Sequence, residues 1–184
     1  MPRPLLATQL AENDDWFLRE IEAHFPALVP EVLAWDEPLG FMLLTDLGTQ
    51  TMMQVINRAD PQANLPLHLQ AVDALITWQL SSKPDVLPPY DEALLRRELE
   101  LFPDWYIGKH VPIAFGDAQR NALEQVFEHV LAANLAEPRV NVHRDYHSRN
   151  LMVSSPNPGI LDFQDAVYGP ITYDLVSLFT DAYI

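Results

Sequence analysis

Cysteine is missing from this 184-residue chain, which excludes disulfides and thiolate chemistry and fits a reducing, cytoplasmic setting. Positive charge is scarce: 11 Lys plus Arg stand against 26 Asp plus Glu, for a formal net charge of −15. Such an acidic chain repels phosphate backbones and anionic lipid headgroups, so neither nucleic acid nor a membrane surface is an expected partner. No apolar run approaches the roughly 18 residues of a membrane span, and the opening "MPRPLLATQLAENDD" has no apolar stretch of the export-signal kind. Glycine is rare, with six in all and none before Gly40, and the only lysines are Lys83 and Lys109. What is present is ordinary for a folded protein. A hydrophobic content of 48% and a charged content of 20% allow a real core in one domain or two small lobes.

The hydrophobic pattern predicts an α+β chain. "NDDWFLREIEAHF" at 13–25 has Asn13 as a cap and Phe17, Ile21 and Phe25 at helical steps, ending at Pro26. "EVLAWD" and "FMLLTD" flank "EPLG" and read as a hairpin, broken afterwards by Gly48. A short helix is expected from about Gln50 to Asn57. Next, "LPLHLQAVDALITWQLS" sets Leu69, Val72, Ile76 and Leu80 on one helical face, with Pro66 in its first turn. Asp91 caps a helix whose buried side is expected at Leu95, Leu99 and Phe102. The clearest amphipathic helix, from Asp117, places Leu123, Val126, Phe127, Val130 and Leu131 together and ends before Pro138. Three extended pieces follow, "RVNV", "NLMV" and "ILDF", then a helix from near Tyr173.

The chemistry concentrates between those extended pieces. In "VHRDYHSRNLMV" a strand ending at Val142 delivers Asp145 to an exposed loop, where a carboxylate can take a proton from an attacking hydroxyl. Asn150 offers a neutral oxygen, and Asp162, across the turn "SSPNPG", offers an anionic one. Mg²⁺ takes a small set of such oxygens and leaves its other positions to phosphate and water. One base beside two cation ligands is the outline of a phosphoryl-transfer site.

"HRDYHSRN" followed by "DFQD" resembles the catalytic loop and metal-binding segment of the protein kinase-like superfamily, and most closely its aminoglycoside phosphotransferase family. The resemblance implies a kinase-like fold, with ATP and Mg²⁺ as cofactors. It makes Asp145 the catalytic base, Asn150 and Asp162 the magnesium ligands, and His147 a residue facing the transferred phosphate. It implies a partial N-lobe with its hinge over residues 1–47, and a mostly helical C-lobe with a short catalytic hairpin over 48–184. "FMLLTDLG" resembles the hinge, whose backbone near Thr45, Asp46 and Leu47 would meet adenine. Asp174 in "YDLVSL" resembles the buried aspartate that braces the loop, while His143 and Arg144 support it. "LLTDLGTQT", "RRELELFPDWY" and "LDFQDAVYGPITYDLVSL" are similar to the branch of bacterial anomeric sugar kinases of cell-wall recycling. That implies a small-molecule acceptor, an amino sugar such as N-acetylmuramate or N-acetylglucosamine, with other amino alcohols still open.

Arg149 and Asp165 could reach such a sugar. Trp105 and Tyr106 could stack on one, but aromatics at a helix end are expected in the core. The sequence departs from the family ahead of the hinge, where it has no glycine-rich loop and no strand lysine. It also stops within an apolar stretch, so a chain cut at both ends, with weak or no turnover alone, is expected. Two other readings stay open: a non-catalytic kinase-like binding module, and a metal hydrolase using His143, Asp145 and His147.

Overall fold

Pro38 and Gly40 place a turn where the sequence predicts one. In the computed structural model, which describes residues 28–36, 38–111 and 115–184, β1 (Val32–Asp36) and β2 (Phe41–Leu44) pair antiparallel around it, Asp36 opposite Phe41. Gly40 adopts φ +71°, and its N–H donates to the Asp36 carbonyl at 2.8 Å, a left-handed position that suits glycine. The helix expected at 13–25 lies outside the described residues. After Gly48 (φ +98°) comes α1 (Met52–Val55), shorter than predicted. It is begun by a capping box in which the Thr51 N–H donates to Gln54 Oε1 at 2.8 Å.

α2 (Leu65–Leu80) starts with Pro66 in its first turn, as expected, but buries a different face. Ala71, Ala74, Leu75 and Trp78 are buried, whereas Leu69, Ile76 and Leu80 are exposed. This helix is apolar around most of its circumference, so spacing alone does not choose its inner side. The four buried residues pack in one apolar cluster with Tyr146, Leu151, Ile160 and Phe163, and the burial of Trp78 there contributes roughly 1.5–3 kcal/mol. α3 (Glu92–Leu101) begins at Asp91, whose carboxylate accepts the Leu94 N–H at 2.9 Å, and buries Leu95. Beyond Leu101 the chain widens into a π-helix, Phe102–His110. Its i→i+5 turn rotates the rings away from the buried stripe of α3. Phe102, Trp105 and Tyr106 are therefore exposed, contrary to the expectation that they belong to the core. They stack locally instead, Phe102 on Tyr106 at 5.5 Å and Lys109 Nζ 4.1 Å from the Trp105 ring centre.

α4 (Asp117–Ala136) runs beside α3, with Arg96 paired to Glu124 at 2.7 Å and to Glu128. Phe127 and Leu131 form its buried stripe, while Val126 faces out. The remaining strands pair in twos. β3 (Arg139–Val142) pairs antiparallel with β6 (Val167–Pro170), and β4 (Leu151–Met152) with β5 (Gly159–Ile160). β6 forms outside the three extended pieces expected from sequence, and it holds both a glycine and a proline. Gly169 is needed there: a Cβ on it would stand 2.6 Å from Tyr90 Cβ. The last helix, α5 (Tyr173–Phe179), starts where the sequence placed it.

The core of the described residues has two apolar clusters, and β3 contributes Val142 to the second. One holds Trp78, Leu151, Ile160 and Phe163 and the other Tyr90, Leu95, Leu131 and Val142. The polar segment 143–150 emerges between them. Among the described residues no helix is long and apolar enough to cross a membrane.

Candidate active site

Val142 is wholly buried, and the chain leaves the core at His143, whose side chain is also fully buried. Both ring nitrogens are engaged. Nε2–H donates to the Leu161 carbonyl at 2.9 Å, and Nδ1 accepts the Asp145 N–H at 3.3 Å. This pattern demands a neutral ring, and burial pushes its pKa down to about 4. The hydrolase reading therefore loses His143 as a ligand.

Asp174, on α5, is buried behind the same segment. Its Oδ2 accepts the His143 N–H at 2.7 Å and its Oδ1 accepts the Arg144 N–H at 3.0 Å. Burial and the nearby charge of Asp145 push the Asp174 carboxyl up to about 7 against these donors. The grip holds Arg144 at φ +77°, in the left-handed region that a side chain of this length avoids. The Arg144 guanidinium meets Glu98 of α3 at 2.6 Å, and Glu98 also accepts from the Tyr90 and Tyr173 hydroxyls. Burial and this carboxylate raise both hydroxyls above the ordinary tyrosine range, so they stay protonated donors.

Held in this way, the backbone presents Asp145 to solvent. Its carboxylate has no hydrogen-bond partner among the described residues, while its own backbone carbonyl accepts from the His147 N–H at 3.0 Å. Asn150 Nδ2 donates to that same carbonyl at 3.0 Å and stands 3.5 Å from Asp162 Oδ2. One amide thus touches both the Asp145 backbone and the Asp162 carboxylate. The contact to Asp145 fixes the amide orientation, leaving Asn150 Oδ1 as its spare acceptor. Asp162 sits just past β5 at φ +65°, its Oδ1 taken by Gln164 Nε2 at 2.6 Å and its Oδ2 turned to Asn150. Asn150 and Asp162 thus bring a neutral amide and a carboxylate together, the kinds of oxygen donor that a hard divalent cation takes.

The hinge-like residues lie over the same hairpin. The Thr45 N–H donates to the Glu31 carbonyl at 3.0 Å and its Oγ1 accepts the Glu31 N–H at 2.9 Å. Asp46 accepts the Gly48 N–H at 2.8 Å. Among the described residues the Leu47 amide and the Asp46 carbonyl have no partner. Leu47 packs against β5 so closely that a Cβ on Gly159 would come within 2.9 Å of its side chain. Leu47 thus stands next to the strand that leads to Asp162.

Asp145, Asn150 and Asp162 are brought together, with His143, Arg144 and Asp174 behind them. Arg149 and Asp165 are exposed; the Arg149 guanidinium lies 4.6 Å from the Tyr183 ring centre. His147 stands edge-on to Tyr183 at 5.3 Å, with its Nδ1 buried and unpartnered among the described residues. Sequence reasoning missed Glu98 and Asp181. The acidic identity of both was visible, but no local pattern links them to the loop.

The sequence model of a family described as "Phosphotransferase enzyme family" matches residues 2–184. An N-acetylmuramate/N-acetylglucosamine kinase of Pseudomonas putida is 48% identical over 170 residues, which cover 92% of this chain and 48% of that protein. A kinase of the same name from Neisseria meningitidis is 44% identical over 157 residues, 85% of this chain and 47% of its own length. The chain spans about half the length of these curated relatives. Among solved structures, the gentamicin complex of the aminoglycoside phosphotransferase APH(2")-IIa superposes with a TM-score of 0.66 at 14% identity, covering 95% of this chain and 60% of that one. ADP-bound APH(2'')-Ib gives a TM-score of 0.66 at 15% identity, covering 96% and 61%. The protein kinase-like fold is therefore shared.

Proposed function

Because this chain belongs to the phosphotransferase enzyme family, we propose that its site transfers the terminal phosphoryl group of ATP to a hydroxyl of a small amino sugar of the N-acetylmuramate or N-acetylglucosamine kind. The carrying observation is the Asn150 amide, which links the Asp145 backbone at 3.0 Å to the Asp162 carboxylate at 3.5 Å. The names of the relatives support the acceptor class, and ADP in a neighbour of the same fold supports the donor.

In this reading Asp145 accepts the acceptor hydroxyl's proton, for which an exposed and otherwise unengaged carboxylate is suited. Asn150 Oδ1 and Asp162 Oδ2 would hold Mg²⁺, which supplies charge neutralisation at the phosphate oxygens when bound. The unpartnered Leu47 amide and Asp46 carbonyl meet the adenine edge, with Thr45 fixing the strand they belong to. His147 faces the transferred phosphate. Arg149 and Asp165, both exposed, contact the sugar. His143, Arg144 and Asp174 keep the Asp145 backbone in place, so that catalysis rests on positioning.

The chain has no lysine or glycine ahead of the hinge to meet the β- and γ-phosphates. Turnover by this chain alone is accordingly weak. The test is a coupled assay of the purified chain with ATP, Mg²⁺ and each amino sugar, with the product followed by ³¹P NMR. Slow sugar phosphate formation that disappears in Asp145→Asn is the expected result. Product formation indifferent to that substitution would refute the assignment. The same missing groups favour one second reading, a module that holds nucleotide or sugar without turnover. It is distinguished by a rise in melting temperature with either ligand and no product.

A further inference from the structure

The segment 143–150 is anchored at its start by Asp174, and at its end by the Leu161 N–H, which donates to the Asn150 carbonyl at 2.9 Å. Its middle is anchored by a different element. The Ser148 N–H donates to Asp181 Oδ2 at 2.8 Å, and Asp181 Oδ1 accepts the Tyr183 N–H at 2.9 Å. Ser148 is fully buried, so its amide has no water to turn to if the carboxylate is lost. Tyr183 adds two ring contacts, edge-on to His147 at 5.3 Å and against the Arg149 guanidinium at 4.6 Å. Its own carbonyl accepts from Arg58 Nη2 at 2.8 Å, which ties the turn back to the loop after α1.

From this juxtaposition we propose that Asp181 is a positioning residue for the catalytic loop, with Tyr183 as its companion: together they fix the arc 147–149 and thereby the separation of Asp145 from Asn150. The bonds within the loop cannot do this alone. His147 N–H to Asp145 and Asn150 N–H to the His147 carbonyl, at 3.0 and 2.9 Å, close small turns but do not tie them to the body of the protein. Among the described residues two bonds join Ser148 to other elements: its carbonyl accepts the Met53 N–H of α1 at 3.0 Å, and its own N–H donates to the Asp181 carboxylate, 33 residues away in sequence, at 2.8 Å. Partial burial disfavours the charge on Asp181, yet the donors from Ser148 and Tyr183 outweigh it and hold the carboxyl below the ordinary aspartate range. The bond is therefore charge-assisted at neutral pH, which is the stronger kind.

The clamp gains its functional meaning from the phosphoryl-transfer reading, but its structural half is testable without it. The experiment compares the full chain with D181A, D181N and Y183L. It measures amide exchange over 143–152, affinity for Mg²⁺·ADP, and kcat and KM for the amino sugar. D181A should speed exchange at the Ser148 amide by about tenfold or more, the consequence of a buried N–H left without an acceptor. It should lower kcat by roughly 10- to 100-fold while the sugar KM stays within about twofold, because misplacement acts on the transition state. D181N keeps an acceptor oxygen and should fall between, and it stands in if D181A folds poorly. Y183L should shift kcat in the same direction by less. Unchanged exchange at Ser148 in D181A and D181N overturns the proposal, as does a kcat loss no larger than the loss of folded protein. If wild type phosphorylates no sugar, the functional reading fails while the exchange data still decide the clamp.

Discussion

The loop at 143–150 and the hairpin β1–β2 are held in different ways. Around the loop the anchors are directional, and two of them are fully buried: Asp174 on two amides and His143 on a carbonyl, joined by the half-buried Glu98 on a guanidinium and Asp181 on Ser148. The hairpin has its ladder and a few backbone bonds, such as the Thr45 N–H to Glu31 at 3.0 Å, and Leu33, Phe41 and Leu43 are 52%, 70% and 59% exposed. Directional bonds specify distances, and an exposed apolar face specifies none. The loop's geometry is therefore the more tightly specified, and under the proposed function substitutions there should be felt far more than those on the hairpin.

The largest expected effect is at Asp145. Asp145→Asn should lower kcat by about 10²- to 10⁴-fold with the melting temperature unchanged, since the exposed carboxylate anchors nothing. A fall in stability instead would place Asp145 among the structural anchors and blur the contrast. Next comes Asp174→Ala, which strands one buried and one partly buried amide and should cost about 2–4 kcal/mol in denaturant unfolding. A cost below about 1 kcal/mol would mean that the loop is not held as described.

The pH dependence of stability sharpens the same picture. His143 has its folded pKa lowered from 6.5 to about 4. Its contribution is full above 6.5 and is lost as pH falls towards 4, because the unfolded chain takes the proton first. Asp174 has its folded pKa raised from 3.8 to about 7. Its contribution is full below 3.8 and is lost as pH rises through 7. Between about pH 4 and 6.5 the two slopes oppose each other, each at up to about 1.4 kcal/mol per pH unit. Unfolding curves for H143N should reveal stability falling as pH rises, and those for D174N stability rising. Parallel curves for wild type and both variants would show that neither group titrates in this window.

The smallest effect belongs to the hairpin. Phe41→Ser should change stability by no more than about 0.5 kcal/mol, as expected for a mostly exposed side chain. A loss several times larger in calorimetry would show that this face is covered in solution, and the comparison would break from that side.

Asp145 and Asn150 are five residues apart, and Asp162 follows Asn150 by only a short hairpin. Their convergence was legible from sequence because covalent proximity limits where each can go. The helix starts at Pro66 and Asp91 and the hairpin turn at Gly40 were legible for the same reason, since caps and turns are made by neighbouring residues. What lies far apart in the chain was not. The inner face of α2 depended on distant residues that pack on it, Tyr146, Leu151, Ile160 and Phe163, and Trp105 and Tyr106 came to the surface where α3 gives way to a π-helix. β3 found its partner in β6, which has an unpromising composition. Glu98 reaches Arg144 across 46 residues and Asp181 reaches Ser148 across 33. A single hydrogen bond between distant residues leaves no periodicity in the sequence, so the nearness of Asp145, Asn150 and Asp162 could be read in advance, while the residues that hold their loop still emerged only once the chain had folded.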